Sequence, residues 1–134
     1  MAGYSGTPLR KKIGIKDGSR VRLVAVPGSV MKELEVAKAQ LADGGGELDV
    51  AMLFVKSTAE LKQEFPKIAK RLAPAGMLWV SWPKKSSGMA TDLSENLIRD
   101  YGLQQAVVDV KVCAVDDTWS GLKFVIRLKD RKKS

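Results

Sequence analysis

Residues 77–95 read MLWVSWPKKSSGMATDLSE, an apolar run followed by a short loop of lysines and serines and then by the start of a helix. The apolar run lies between Gly76 and Pro83, as is typical of a strand buried on both faces. Asp92 and Glu95 have the spacing of a helix N-cap and its capping-box partner. Such a loop lies at the carboxyl edge of an open α/β sheet, where ligands bind, and a helix N-terminus beside lysines favours an anion. The sequence therefore predicts an anion-binding site here.

Strands and helices alternate along the chain before and within this stretch. The predicted strands cover residues 21–26, 48–55 and 77–82, and a helix follows each, which indicates right-handed crossovers and a parallel sheet. Two further strands, 107–115 and 122–128, are joined by a segment too short for a crossover helix, so they should form an antiparallel hairpin. The predicted fold is a three-layer, Rossmann-like α/β domain, with a mostly parallel sheet of about five strands ending in an antiparallel hairpin.

The predicted helices rest on apolar spacing and capping residues. One begins at Ser29 and runs to the glycines at 44–46, because four apolar residues recur on one helical face. These residues are Val30, Leu34, Ala37 and Leu41. Another begins with a capping box formed by Ser57 and Glu60, and Pro66 should kink or divide it. The last predicted helix ends near Gly102.

Length and charge predict one domain with basic ends. The chain has 134 residues, 45% of them hydrophobic, and a formal net charge of +8 that is concentrated near the two termini. Residues 1–17 are predicted to be a basic arm with a short helix starting at Thr7, residues 18–128 the α/β domain, and residues 129–134 a mobile basic tail. No apolar run reaches the roughly 20 residues that span a bilayer, so no membrane segment is predicted.

The chain contains no histidine and only one cysteine. Nucleophile systems that need a histidine base and zinc sites that need imidazole are therefore excluded within this sequence. Cys113 lies in VKVCAV, which predicts a buried strand with a structural thiol and favours a bacterial-type cytoplasmic protein. Whether the protein is an enzyme stays open, and the residue types favour a non-catalytic protein.

The predicted carboxyl ends of the strands bring several polar and aromatic residues to one crevice. They are Ser29, Lys56, Ser57, Trp82, Lys84, Lys85, Ser86, Ser87, Gly88, Asp116, Asp117 and Trp119. Lysine charge, serine hydroxyls and a tryptophan face suit a small molecule bearing phosphate or carboxylate, such as a nucleotide. In the alternative interpretation, the serines only cap helices and the two aspartates neutralise the lysines in a closed surface cluster. Trp79, in mid-strand, is predicted to be core.

No recognised catalytic or cofactor motif supports this crevice. The segment after the first strand, AVPGSVMKEL, lacks the glycine spacing that lets a pyrophosphate approach the backbone. Neither pair of neighbouring acids, Asp92 with Glu95 or Asp116 with Asp117, forms a convincing acid/base dyad. The sequence therefore predicts no catalytic residue, no metal and no cofactor.

The basic ends carry an alternative function, association with nucleic acid. The residues concerned are Arg10, Lys11, Lys12, Arg131, Lys132 and Lys133. Clustered basic residues bind phosphate backbones, although the same pattern also serves solubility alone. The favoured partner remains a small anionic ligand or a protein, and the oligomeric state is left open.

Three segments resemble a family of small bacterial proteins, the DUF3052-type domain of unknown function. They are YSGTPLRKKIGIKDGS (4–19), LWVSWPKKSSGMATDLSENLIR (78–99) and VDVKVCAVDDTWSGLKFVIR (108–127). The resemblance covers nearly the whole chain and implies no catalytic residue or cofactor.

Residues 18–128 more distantly resemble a shortened class I S-adenosylmethionine-dependent methyltransferase. LAPAGMLWVSW (72–82) is similar to that fold's turn into its fifth strand, and the terminal hairpin to its sixth and seventh strands. The chain lacks the family's glycine-rich loop and has no room for its second and third strands. The resemblance thus implies common fold ancestry and argues against cofactor use, with a degenerate methyltransferase-like enzyme as the remaining alternative.

Overall fold

The computed structural model describes residues 8–42 and 45–131, which form a five-stranded sheet with helices on both faces. The strands are β1 (Val21–Val24), β2 (Leu48–Phe54), β3 (Leu72–Pro83), β4 (Val107–Ala114) and β5 (Trp119–Ile126). Their order is β1-β2-β3-β5-β4; β1, β2 and β3 pair in parallel, and β5 is antiparallel to β3 and β4. The predicted fold, including the hairpin, is confirmed.

Within the described residues, four α-helices make the two outer layers. They are α1 (Leu9–Ile13), α2 (Gly28–Leu34), α3 (Thr58–Ala69) and α4 (Glu95–Gln104). The apolar sides of α3 and α4 share one core with one face of the sheet, and α1 and α2 share a second core with the other face. Trp79 is fully buried in the second core, as predicted, and its Nε1 donates to the Ile13 carbonyl at 2.9 Å. This bond holds α1 on the sheet.

The helix predicted from Ser29 to the glycines is wrong in its second half. It ends at Leu34, and Glu35 has a left-handed φ of 52°. The Arg10 guanidinium donates to the carbonyls of Leu34 and Glu35 and so satisfies acceptors that a continuing helix would use. After a 3₁₀ turn, Leu41 forms a single parallel bridge with Val21. Tertiary contacts thus override the helical spacing.

The third strand begins at Leu72, earlier than the predicted start at residue 77. Leu72 pairs with Leu48 and Met77 pairs with Val50, so the residues between form a bulge in a continuing strand. A Cβ on Gly76 would lie 2.6 Å from the Leu48 carbonyl oxygen. The glycine therefore permits a close strand approach.

The predicted division of one helix is wrong, and the predicted end of another is confirmed. Pro66 lies inside α3 without dividing it, because burial of Leu61, Phe65 and Ile68 outweighs the cost of about 3 kcal/mol that an interior proline imposes. The last helix ends at Gln104, close to Gly102 as predicted.

The β4 strand is an exposed edge, so the prediction of a buried strand around Cys113 is wrong. Val110 and Val112 are 52% and 47% exposed, and Cys113 is half-buried. The reason is topological: β5 inserts between β3 and β4, which leaves β4 with one neighbour. In the part of the chain that the structure describes, no helix is long and apolar enough to cross a membrane.

Candidate functional site

The carboxyl ends of β2 and β3 and the turn between β4 and β5 meet at one edge of the sheet. The Lys84 amide donates to the Thr118 carbonyl at 2.8 Å, which ties the loop of residues 84–88 to that turn. The Thr91 hydroxyl donates to the Lys56 carbonyl at 2.6 Å, which ties the same connection to the end of β2. The N-termini of α3 and α4 both lie at this edge.

The start of α3 is closed by the protein's own side chains. Ser57 Oγ accepts from the Glu60 amide at 3.2 Å, and Glu60 Oε1 accepts from the Lys56 amide at 2.7 Å. Asp92 Oδ1 accepts from the Thr58 amide at 2.8 Å. The prediction that Asp92 caps the helix that follows it is therefore wrong. Its carboxylate accepts from the first turn of α3 instead. An internal anion occupies the place where an external anion would bind.

The start of α4 is open. Its cap is Ser94, whose Oγ accepts from the Leu97 amide at 3.2 Å. In front of it lies a cavity of about 380 Å³. The lining residues are Trp82, Pro83, Lys85, Leu93, Ser94, Glu95 and Asn96. Among the described residues Lys85 is exposed and forms no ion pair, so its charge is available at the cavity.

The acid among the lining residues, Glu95, shares an arginine with a second carboxylate. Arg99 pairs with the carboxylate of Glu95 and, through Nε at 2.8 Å, with Asp109 of β4. The Arg99 guanidinium donates hydrogen bonds to Asp109 and Glu95, and these bonds raise its pKa above the ordinary value. Arg99, Glu95 and Asp109 together carry one net negative charge, which the exposed Lys85 balances at the α4 start.

The other predicted residues of the loops have local structural roles. Ser87 Oγ donates to the Lys84 carbonyl at 2.6 Å, and Asp116 Oδ1 accepts from the Thr118 and Trp119 amides at 2.8 Å each. Ser86, Gly88 and Asp117 are exposed. Within the described ranges neither Asp116 nor Asp117 forms an ion pair with Lys84 or Lys85, so the aspartates do not neutralise the lysines as the alternative proposed.

The two tryptophans at the strand ends lie on opposite faces of the sheet. Trp82 belongs to the core under α3 and α4, whereas Trp119 belongs to the core under α1 and α2 and packs edge-on against Phe54 with ring centroids 5.0 Å apart. Both are only 7% exposed. They cannot share one ligand, and Trp82 alone lines the open cavity. Ser29, exposed at the start of α2, also lies on the face away from it.

A second cavity, missed by the sequence reasoning, lies between β1 and β2. Because α2 packs on one face and α3 on the other, the crossover direction reverses between these strands. The cavity has a volume of about 220 Å³ and is lined by Val24, Ala25, Leu53, Phe54, Val55, Glu60, Gln63 and Glu64. Ala25 takes the left-handed φ of 57° that a glycine would ordinarily supply. The two glutamates disfavour an anion here.

The basic ends are partly engaged in the fold. Arg10 pairs with Asp17 at 3.0 Å, the Lys12 ammonium donates to the Ala114 carbonyl at 3.1 Å, and Arg131 Nε donates to the Ile126 carbonyl at 3.0 Å. Lys11 is exposed, and Lys132 and Lys133 lie outside the described residues. Three of the six predicted nucleic-acid residues therefore contribute hydrogen bonds that hold secondary structure together.

Cys113 carries a half-buried free thiol. Burial raises the pKa of the Cys113 thiol, an effect that Lys12, Lys111 and Lys84 oppose in part. Among residues 8–42 and 45–131 no three acidic or cysteine side chains cluster closely enough to hold a metal ion.

Comparisons with known proteins identify the fold but no family. No protein-family model and no curated protein matches the chain. The structure is similar to that of the ribosomal protein L11 methylase from Lactobacillus delbrueckii subsp. bulgaricus, with a TM-score of 0.56 at 12% identity over 89% of this chain and 75% of that one. It is also similar to magnesium protoporphyrin IX methyltransferase from Synechocystis PCC 6803 with bound SAM, with a TM-score of 0.59 at 14% identity over 82% of this chain and 71% of that one.

A third similar structure is described as a pericyclic reaction enzyme. Its TM-score is 0.54 at 7% identity, and the match covers 89% of this chain but 39% of that chain. Likeness at these identities establishes the methyltransferase-like Rossmann fold and does not carry an activity. The resemblance to DUF3052-type domains stays a prediction.

Proposed function

We propose that the protein is a non-catalytic binding module, built on a methyltransferase-like fold, that holds a small anionic ligand in the cavity at the start of α4. The observation that carries the proposal is the contrast in charge and capping at the sheet edge: α3 is closed by Asp92, whereas the α4 start faces an open cavity beside Lys85. The ligand class is a phosphate or carboxylate attached to a flat or apolar body.

The free backbone amides of α4 supply the donors for such an anion. Ser94 takes the Leu97 amide, and the amides of Glu95 and Asn96 have no acceptor among the described residues. Unpaired amides in the first turn carry the positive end of the helix dipole. An anion there would accept from them and from Lys85, while its apolar part would lie against Trp82 and Pro83.

Isothermal titration calorimetry with pyrophosphate and with adenosine monophosphate tests this proposal. We expect saturable binding of at least one of them, weakened about tenfold by Lys85→Ala because a charge-assisted hydrogen bond is lost. Lys62→Ala is the matched control, since Lys62 is an exposed lysine on α3 and lines no described part of the cavity. The proposal is rejected if neither anion produces heat, or if Lys85→Ala and Lys62→Ala weaken binding equally.

A degenerate methyltransferase-like enzyme is the second candidate, because the cavity between β1 and β2 lies where the crossover direction reverses. SAM is bound in one of the similar structures. Calorimetry with S-adenosylmethionine separates the candidates: binding that is lost in Glu64→Gln but kept in Lys85→Ala would favour the enzyme. The cytoplasmic location and the association with nucleic acid stay predictions.

A further inference from the structure

β4 forms a lateral edge of the sheet, has no neighbour on its outer side within the described ranges, and contributes no residue to the lining of the proposed anion cavity. An edge strand directs alternate N–H and C=O groups to solvent, where another extended chain can pair with them. Val110 and Val112 are about half exposed, and Leu128, just past β5, is 79% exposed. Burying these side chains would be favourable.

Beside this edge lies a shallow cavity of about 390 Å³ with a mostly apolar lining. It is lined by Val108, Val110, Val125, Ile126, Arg127, Leu128 and Arg131. Three of these residues are valines and two are arginines. We call this surface, together with Lys111 and Lys123, the edge patch.

The edge patch carries positive charge that the described part of the protein does not neutralise. Lys111 lies directly opposite Lys123 in the β4–β5 ladder, and like charges in this position repel. Neither lysine forms an ion pair among the described residues, and Asp109, the acid of β4, is bound to Arg99. Val125 lies two residues from Lys123 in β5 and pairs with Val108 of β4, so these two valines and the paired lysines share one face of the sheet.

We propose that β4 binds an extended acidic segment of another protein by strand addition. The partner's backbone would pair with the outer edge of β4, its apolar side chains would cover the edge-patch valines, and its carboxylates would lie near Lys111 and Lys123. The juxtaposed lysines select negative charge, and the valines together with the open strand edge select a peptide.

The same observations disfavour two other occupants. A second copy pairing through β4 about a twofold axis would bring the basic residues of the edge patch close to their own symmetry mates. Single-stranded nucleic acid is held mainly by bases stacked on aromatic side chains, and no aromatic residue lines this cavity.

Fluorescence anisotropy tests the proposal with a labelled eight-residue peptide in which threonine occupies every second position and valine and glutamate share the positions between, so that both face one side of an added strand. We expect binding that weakens at least about tenfold in the double variant Lys111→Glu, Lys123→Glu, because attraction becomes repulsion. Val110→Asp should weaken binding by a similar factor. Met31→Asp is the matched control, because Met31 is 43% exposed on α2 and should leave binding unchanged. Thermal unfolding of each variant verifies that it folds.

Hydrogen exchange then locates the peptide. Slower exchange of β4 amides in the complex would support strand addition, and unchanged exchange there would reject it. The proposal is also rejected if the peptide does not bind, if a dimer forms that Val110→Asp abolishes, or if a single-stranded oligonucleotide binds with the same variant dependence. Pyrophosphate binding at the α4 cavity should persist in all edge-patch variants, so failure of one proposal can be distinguished from failure of the other.

Discussion

The two helices that begin at the carboxyl edge of the sheet differ in what satisfies their first amides. At α3, Ser57 and Asp92 accept two of them, and the second acceptor comes from 34 residues away in sequence. At α4, Ser94 accepts one, and the space in front of the helix is open. The N-terminus of α3 is thus used by the protein's own side chains, whereas the N-terminus of α4 is available to a ligand. The difference is that an internal carboxylate closes one start, whereas the other faces a cavity lined by an exposed lysine.

Displacing α4 should have the largest effect on the free energy of unfolding, because it removes the open helix start together with the packing of α4. Gly102 faces Phe124 so closely that a Cβ there would lie 2.1 Å from the ring. Gly102→Val must therefore push α4 off the sheet, and we expect destabilisation of about 3 kcal/mol. Urea unfolding measures it. A variant as stable as the parent would contradict the described packing of α4.

Opening the closed start should have the next largest effect. Asp92→Ala removes the carboxylate that accepts from the Thr58 amide, and we expect a loss of about 1.5 kcal/mol in the free energy of unfolding. The freed α3 start should then acquire pyrophosphate binding, seen as new amide shifts at Thr58 in an NMR titration. Asp100→Ala, an exposed acid on α4, is the control and should change neither quantity.

Weakening the open start should have a smaller effect on stability. Ser94→Ala leaves the Leu97 amide without its acceptor, so we expect destabilisation of about 1 kcal/mol by urea unfolding. Ser86→Ala, an exposed serine of the preceding loop, should be neutral. Equal effects of the two substitutions would mean that Ser94 does not cap α4 in solution.

The carboxyl edge of the sheet could be predicted from the sequence, whereas the different capping of α3 and α4 could not. Alternating apolar runs and capping residues were sufficient for the strands, their parallel order and the hairpin, because these depend on local pattern. Asp92 and Ser94 are both good N-cap residues, and only the contact with Thr58, distant in sequence, separates their roles. The cavity between β1 and β2 depends on which face each helix covers, which no local pattern records.

Reversing the charge of a lysine beside each helix start should have the smallest effect on stability. The two variants should differ in their affinity for pyrophosphate. Lys85→Glu and Lys56→Glu each change an exposed residue, so each should shift the free energy of unfolding by no more than about 0.5 kcal/mol. Lys85→Glu should lower pyrophosphate affinity at least about tenfold, because it places a negative charge at the cavity. Lys56→Glu, beside the closed start, should leave that affinity nearly unchanged. Calorimetry on both variants compares them.

The most direct measurement is a two-dimensional ¹H–¹⁵N NMR titration of the unmodified protein with pyrophosphate. An open α4 start and a closed α3 start predict saturable shifts of the Glu95, Asn96 and Lys85 amides, with the Thr58 and Ala59 amides unmoved. The account is contradicted if no amide shifts saturably, or if the amides at the start of α3 respond as strongly as those at the start of α4.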